Sequence, residues 1–337
     1  MKSIVKFLCT TRFFCILGLS VIGGVSQTSL FRSWVILELN ILTFVAALSL
    51  TKAALELAGI KYFIVQRIGS RIFLGRARLS LFHVSHEVMV SLIGFSLLLK
   101  LGVAPIHGWF IRVLRAINWE FLVLASTLQK ILPLFLTRLL MLKFIWVILG
   151  ARVLISVRGS LNQLNTKKLL AYSSIFRAVW ILRCGPVFDV LIQYLGAYRV
   201  ALVILARLFS LENCANVNEF LYQAEKRRVI LLIIGFFRIG GSPPFLGFYA
   251  KIIVAQVLLS QAQIILLSFI VIRSVFLLYV YMRFFYFSIS GLRAASEQGT
   301  AINRKLGVLR VAIFFLLGLP WLLRGGVWHR KFWTFRN

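Results

Sequence analysis

The run Ser33-Trp34-Val35-Ile36-Leu37-Glu38-Leu39-Asn40-Ile41-Leu42 sits inside an apolar segment at 30–51, with one carboxylate near its middle. Helices of roughly 17–25 apolar residues cross a hydrocarbon core about 30 Å thick. Working outward, further apolar segments fall at 7–24, 58–82, 88–104, 120–141, 143–158, 167–184, 187–209, 229–248, 251–260, 263–289 and 308–323. The chain of 337 residues is 60% hydrophobic with a mean hydropathy of +0.92, too little polar residue to cover a soluble surface. The apolar residues come in runs rather than in alternation, which excludes a barrel. The expectation is an all-α integral membrane protein with about ten or eleven transmembrane helices, broken ones included, in a single polytopic domain over 1–337. The segment 229–260 reads as one interrupted helix or two short ones. The N-terminal apolar run lacks a small-residue cleavage site and reads as a retained first helix.

The charge balance is unusual: 39 Lys plus Arg against 9 Asp plus Glu, a formal +30. In a soluble chain that balance would suggest nucleic acid. Here the cations are scattered among apolar residues, with Lys226-Arg227-Arg228 the one cluster, so no nucleic-acid partner is expected. Cys9, Cys15, Cys184 and Cys214 have no CxxC and no His spacing for zinc or iron–sulfur ligation. No Gly-rich nucleotide motif stands out.

Two segments carry helix breakers inside apolar sequence: Ser126-Thr127-Leu128-Gln129-Lys130-Ile131-Leu132-Pro133, and Gly240-Gly241-Ser242-Pro243-Pro244 leading to Lys251. Proline removes a backbone donor, and lipid tolerates the freed carbonyl only where protein or water satisfies it. Transporters use such breaks to place helix ends beside an ion path. The plainer alternative is that these prolines mark helix ends.

Glu38, Lys100, Lys130 and Lys251 are the candidate site. A carboxylate at Glu38 must be protonated, paired or facing water, because burying it bare costs several kcal/mol. Lys100 either snorkels to the interface or is buried. Lys130 lies mid-span beside a break, and Lys251 follows the Pro-Pro break. Buried amines release protons readily, and a carboxylate whose distance changes alters their affinity. A chain of such groups can relay a proton.

Several stretches carry a resemblance: Ser33-Trp34 with Glu38-Leu39-Asn40; Lys61-Tyr62-Phe63 with Gln66; Lys100-Leu101-Gly102-Val103-Ala104-Pro105 with His107 and Trp109; Gln129-Lys130 with Pro133; Leu161-Asn162-Gln163 with Lys168-Leu169-Leu170-Ala171-Tyr172-Ser173-Ser174-Ile175; and Gly240-Gly241 with Pro243-Pro244-Phe245-Leu246-Gly247-Phe248 and Lys251. In this order they resemble the chain 2 family of mitochondrial NADH:ubiquinone oxidoreductase (complex I), antiporter-like membrane subunits. The resemblance covers 33–251; beyond 262 only hydrophobicity matches. It implies Glu38 paired with Lys100, Lys130 as central relay and Lys251 as exit-side lysine. It also implies a mitochondrial inner-membrane location, other membrane-arm subunits and lipids as partners, and no cofactor in this chain: NADH, FMN, iron–sulfur clusters and ubiquinone would be bound by other subunits. A stand-alone cation/proton antiporter of the same ancestral fold, and a purely structural membrane subunit, are the rival readings.

Arginine departs from this pattern. There are 26 Arg to 13 Lys, many mid-span: Arg138, Arg177, Arg183, Arg199, Arg207, Arg238 and Arg273. Each costs about 2.5–3.5 kcal/mol at a helix centre by insertion scales. Several animal mitochondrial codes read AGA and AGG as serine or glycine. Serine at Arg67 and Arg71 would make a small-polar stretch suited to helix packing. Serine at Arg238 would place a small residue beside the Pro-Pro break. The remaining polar residues have plain readings. His83, His86 and His329 are loop or interface histidines; Trp321, Trp328 and Trp333 suit an interfacial belt. Glu56, Glu87, Glu120 and Glu297 mark span ends or loops, and Lys168 an interfacial anchor.

Overall fold

In the computed structural model the described residues are 2–27, 29–50, 56–79, 86–103, 106–139, 159–161, 163–183, 188–243, 245–260 and 264–296. They contain α-helices and no β-strand. The expected spans at 143–158 and 308–323 lie outside the described residues, as do His83, Cys184, Pro244, Glu297, Trp321, Trp328, His329 and Trp333. Three helical stretches combine the length and apolar character to cross a membrane on composition alone: Leu30–Ser49, Trp119–Thr137 and Tyr194–Glu212. Shorter apolar helices at Arg12–Val25, Val88–Leu101 and Gly247–Ser260 occupy other expected spans.

The chain forms two compact units, Met1–Pro186 and Val187–Asn337. The first holds α1 (Lys2–Val25), α2 (Leu30–Ser49), α3 (Glu56–Leu79), α4 (His86–Leu101), α5 (Gly108–Ala116), α6 (Trp119–Ser126), α7 (Leu128–Leu139) and α8 (Thr166–Arg183). Its core gathers Leu37 from α2, Phe73 from α3, Ile93 and Leu97 from α4, and Leu132 and Leu136 from α7. Helix α1 crosses α7 closely: a Cβ on Gly24 would stand 2.5 Å from Leu132 Cδ1. Helix α5 is short and two-faced. It buries Trp109, Phe110, Ile111, Val113 and Leu114 and exposes Arg112 and Arg115, as a helix lying along an apolar surface does.

The second unit holds α9 (Phe188–Glu212), α10 (Val217–Gln223), α11 (Lys226–Gly240), α12 (Leu246–Ser260) and α13 (Ile264–Ser296). Helices α9 and α11 approach at Gly235, where a Cβ would stand 2.6 Å from Leu205 Cδ2. Small residues let backbones meet where no water-driven force pushes helices together. Phe236 stacks on Tyr281 of α13 at 5.3 Å between ring centroids. The 212–228 connection is polar and tied at both ends: Arg228 pairs with Glu212, and the amides of Ala215 and Asn216 donate to Glu219.

Both breaks exist, but the first is not made by its proline. Pro133 lies inside α7. The helix breaks six residues earlier, at Thr127 (φ −119°, ψ −79°). Hydroxyls bond back into the helix just before the break: Ser126 Oγ donates to Leu122 O at 2.7 Å and Thr127 Oγ1 to Val123 O at 2.6 Å. Both carbonyls also serve the helix ladder, and such back-bonding by hydroxyls bends a helix. The Thr127 amide reaches Val123 O at 3.1 Å and Leu124 O at 3.3 Å, and the next helix starts with the Lys130 amide on Thr127 O at 3.1 Å. The second break follows the sequence closely. Helix α11 ends at Gly240, and Gly241 takes the left-handed conformation at φ 68°. The Ser242 amide donates to Phe237 O at 3.2 Å and the Gly241 amide to Arg238 O at 3.3 Å, a Schellman closure.

Candidate functional site

Helix α2 turns Ser33, Leu37, Glu38, Asn40, Ile41 and Phe44 inward, so a helix that is apolar all along its length carries its one carboxylate to the protein side. Glu38 is 7% exposed. Arg67 of α3 donates to its Oε2 at 3.0 Å, while Oε1 is buried without a hydrogen-bond partner.

Lys100 occupies the last turn of α4 and is 5% exposed, so it does not snorkel to a surface. Gly69 of α3 makes room for its stem: a Cβ there would stand 3.0 Å from Lys100 Cγ and 3.4 Å from Ser96 O. Gln66, one turn before Ser70 on α3, donates from Nε2 to Lys100 O at 2.9 Å and fixes the helix end. Lys100 Nζ is buried with no hydrogen-bond partner. Glu38 and Arg67 both act on it through space, one attracting its ammonium and the other repelling it. The ion pair that the resemblance implies between Glu38 and Lys100 is therefore not formed. Arg67, set aside in the sequence as a candidate serine, takes the carboxylate instead, with its own side chain 46% exposed.

Lys130 lies one turn beyond the Thr127 break and is 4% exposed. Its Nζ donates to Ser174 Oγ of α8 at 2.9 Å and stands over the ring of Phe110 of α5, 4.3 Å from the centroid. Its neighbour Gln129 accepts at Oε1 from the Tyr62 hydroxyl of α3 at 3.1 Å, leaving Nε2 buried and unpartnered. Tyr62 and Gln66, one helical turn apart on α3, thus reach the two segments that bear the lysines. Glu38, Lys100 and Lys130 are brought into one buried neighbourhood of the first unit, with Tyr62, Gln66 and Gln129 as its polar lining.

Lys251 belongs to the second unit. It is half-buried on α12, and its Nζ donates to Gly240 O at 2.5 Å, across the Pro-Pro break. The turn is built around this contact: a Cβ on Gly241 would stand 2.7 Å from Lys251 Cε. A cation on a helix's last carbonyl is also favoured by the helix dipole.

Phe110 and Ser174 escaped sequence reasoning. Ser174 stands in a quoted stretch but its register against Lys130 is set by a contact 44 residues away. Phe110 directly follows Trp109, and only the two-faced pattern of 108–116 signalled that it points inward. The other mid-span arginines divide by burial. Arg177 is buried; Arg238 is half-buried; Arg199 and Arg207 lie on the exposed face of α9 beside Val200, Val203 and Leu211. The side chains of Arg138, Arg183 and Arg273 are outside the described residues. Glu120 sits exposed in the first turn of α6, as a span-end residue would. Lys168 is half-buried with its backbone amide on Asn165 Oδ1 at 3.3 Å.

Residues 27–277 match the family described as NADH:quinone oxidoreductase/Mrp antiporter, TM. The NADH-ubiquinone oxidoreductase chain 2 of Anopheles gambiae is 30% identical over 289 residues, which cover 81% of this chain and 84% of that one. The protein of the same name from Mytilus edulis is 32% identical over 277 residues, covering 80% and 84%. A chain of respiratory complex I from Thermus thermophilus, solved with bound aureothin, shares the fold: TM-score 0.69 at 19% identity, over 81% of this chain and 69% of that chain. The chain therefore belongs to the NADH:quinone oxidoreductase/Mrp antiporter family of transmembrane subunits, among its NADH-ubiquinone oxidoreductase chain 2 members.

Proposed function

We propose that this chain is a proton-translocating subunit in the membrane arm of respiratory complex I, in the mitochondrial inner membrane. It couples electron transfer from NADH to ubiquinone, carried out elsewhere in the complex, to proton movement. The observation that carries this reading is Lys130: an amine 4% exposed, one turn beyond a helix break, donating to a hydroxyl and standing over an aromatic face. A structural role does not call for an amine there, since an apolar residue of similar size fills the space without desolvating a charge. An amine that binds and releases a proton does.

Glu38 biases Lys100 according to how closely the carboxylate approaches it. Lys130 receives the proton, and Lys251 serves on the exit side. In an interior of low effective dielectric, ångström-scale changes in charge separation alter proton affinity substantially. NADH, FMN, iron–sulfur clusters and ubiquinone are bound by other subunits, and no redox chemistry occurs in this chain. Its partners are the neighbouring membrane-arm subunits and inner-membrane lipids, with no nucleic acid. The relatives at 30% identity and above carry the respiratory name, which favours this reading over a free-standing cation/proton antiporter.

The test is Lys130→Met in the assembled complex, following NADH oxidation and proton pumping together. Loss of pumping with normal assembly is expected. Normal pumping would reduce the chain to a structural subunit.

A further inference from the structure

We infer that Phe110 is a positioning residue that holds Lys130 and ties it to the turn ending the Lys100 helix; this rests on the proton-relay reading above. Phe110 is 3% exposed on α5 and makes two contacts at once. On one side, its ring faces Lys130 Nζ at 4.3 Å. On the other, it packs on Gly102, where a Cβ would stand 2.7 Å from Phe110 Cβ and 2.8 Å from Cγ. Gly102 is two residues past Lys100. It takes φ +63°, and its amide donates to Leu99 O at 3.1 Å, closing α4. The ring therefore sits between the end of the helix bearing one lysine and the ammonium of the other.

The far end of α5 is anchored independently. Lys167 of α8 donates to Ile117 O at 2.7 Å and stands over the Trp119 ring at 5.2 Å. Two turns along the same helix, Ser174 accepts from Lys130 Nζ at 2.9 Å. Helices α5, α7 and α8 thus form a closed frame around the amine, in which the ring cannot shift without a shift at Gly102.

The chemistry of the two holders differs. An aromatic face attracts an ammonium through its quadrupole and offers a neutral amine little. The Ser174 hydroxyl gives its own proton to Ala171 O at 3.1 Å and accepts an N–H from either form of Lys130, since a neutral amine still carries donors. Of the two, only the ring distinguishes the charge states of Lys130, and its distance is set by the Gly102 turn. A movement at Lys100 reaches Lys130 through Phe110.

The test compares Phe110→Leu, which keeps an apolar side chain but loses the face, with Phe110→Tyr, which keeps the face. Lys130→Met is the control for the relay reading. Each is built into the whole complex and followed by NADH oxidation, protons pumped per electron pair and the pH profile of pumping. The expected result is a severalfold loss of pumping and a displaced pH profile in F110L, with F110Y close to the parent. Equal behaviour of F110L and F110Y on an unchanged profile, with K130M inactive, overturns the role of the ring and leaves the relay reading standing. Normal pumping by K130M overturns both. If F110L fails to assemble, Phe110→Met is read by the same criteria. Failure of both apolar variants also overturns the inference, because the ring is then needed for folding rather than for Lys130.

Discussion

The two broken helices place a lysine beside the break by opposite means. At Thr127 the hydroxyls of Ser126 and Thr127 bond back into the preceding turn, and Lys130 is deeply buried against a ring and Ser174, on its hydroxyl at 2.9 Å and more distantly its carbonyl at 3.5 Å. At Gly240–Pro243 the backbone is mended by a left-handed glycine, and Lys251 is half-buried and binds the main chain itself at Gly240 O. Lys130 thus links α7 to α8 through Ser174 and to α5 through Phe110. Lys251 caps a helix end, so its charge state is bound to the geometry of the break. Under the proposed relay, the first site exchanges a proton and the second senses or restrains one.

The sharpest way to break that contrast is at the glycine. Gly241→Ala forces a side chain into the left-handed region, at about 1–2 kcal/mol, and drives its Cβ into Lys251. Poor assembly and loss of pumping are expected, read by native gels and pumping assays. Thr127→Ala removes one hydroxyl bond, about 1 kcal/mol, and should leave an assembled complex with modestly lower thermal stability. Comparable damage from both would erase the distinction between the breaks.

Next in size is the pair of lysine substitutions read for stability rather than activity. Lys251→Met removes a charged cap on Gly240 O and should lower the melting temperature of the complex, by about 1–2 kcal/mol of stability. Lys130→Met replaces a buried amine with an apolar side chain of similar length. It should leave stability unchanged or raised, since burying a charge is unfavourable before any pairing. A larger destabilisation from K130M than from K251M would invert the comparison.

A smaller effect is expected at Gly69→Ala. The added Cβ would lie 3.0 Å from Lys100 Cγ, tight enough that the lysine stem must yield by a few tenths of an ångström. A partial loss of pumping with normal assembly is expected, and full activity would show that the position of Lys100 matters little. Peptide mass spectrometry at positions 67 and 238 belongs beside it. Serine is the expected residue at both, on the cost of arginine in a span. With serine at 67, Glu38 loses its ion pair and Lys100 becomes the cation its charge acts on. Arginine at 67 leaves the pair at 3.0 Å as the resting partner of Glu38.

The smallest effect lies outside both breaks. Hydrogen bonds from the Asn216 side chain, then from the amides of Asn216 and Ala215, hold the Glu219 carboxyl below the usual carboxylate range. That contribution is present above the ordinary carboxylate pKa and is lost as pH falls through the lowered value. Glu219→Gln should lower thermal stability slightly at neutral pH, a difference that vanishes in acid.

How far the sequence reaches follows from the range of the interactions. The apolar runs announced the helices because crossing a bilayer is a local requirement met within about twenty residues. The glycine break was legible for the same reason: Gly240, Gly241 and Pro243 are all within the turn they make. The first break was displaced: Pro133 lies inside α7, while the ladder is interrupted at Thr127, where two hydroxyls bond back into the preceding turn. The burial of Lys130 was legible, Glu38 was legible as protonated, paired or facing water, and Lys100 stood open between interface and interior until packing placed it inside; their partners were not legible. Ser174, Phe110 and Tyr62 reach the Lys130 region across gaps in sequence that periodicity does not bridge, and Arg67 took the carboxylate that the resemblance gave to Lys100.

A proton relay here requires titratable groups kept in an apolar interior and linked so that protons pass between them. A map of the assembled complex fine enough to show ordered water tests this most directly. It should show water within hydrogen-bonding distance of Lys100 Nζ and Glu38 Oε1, continuing toward Gln129 and Lys130. A dry, closed packing around Lys100 and Lys130, with Lys251 out among the headgroups, would contradict it.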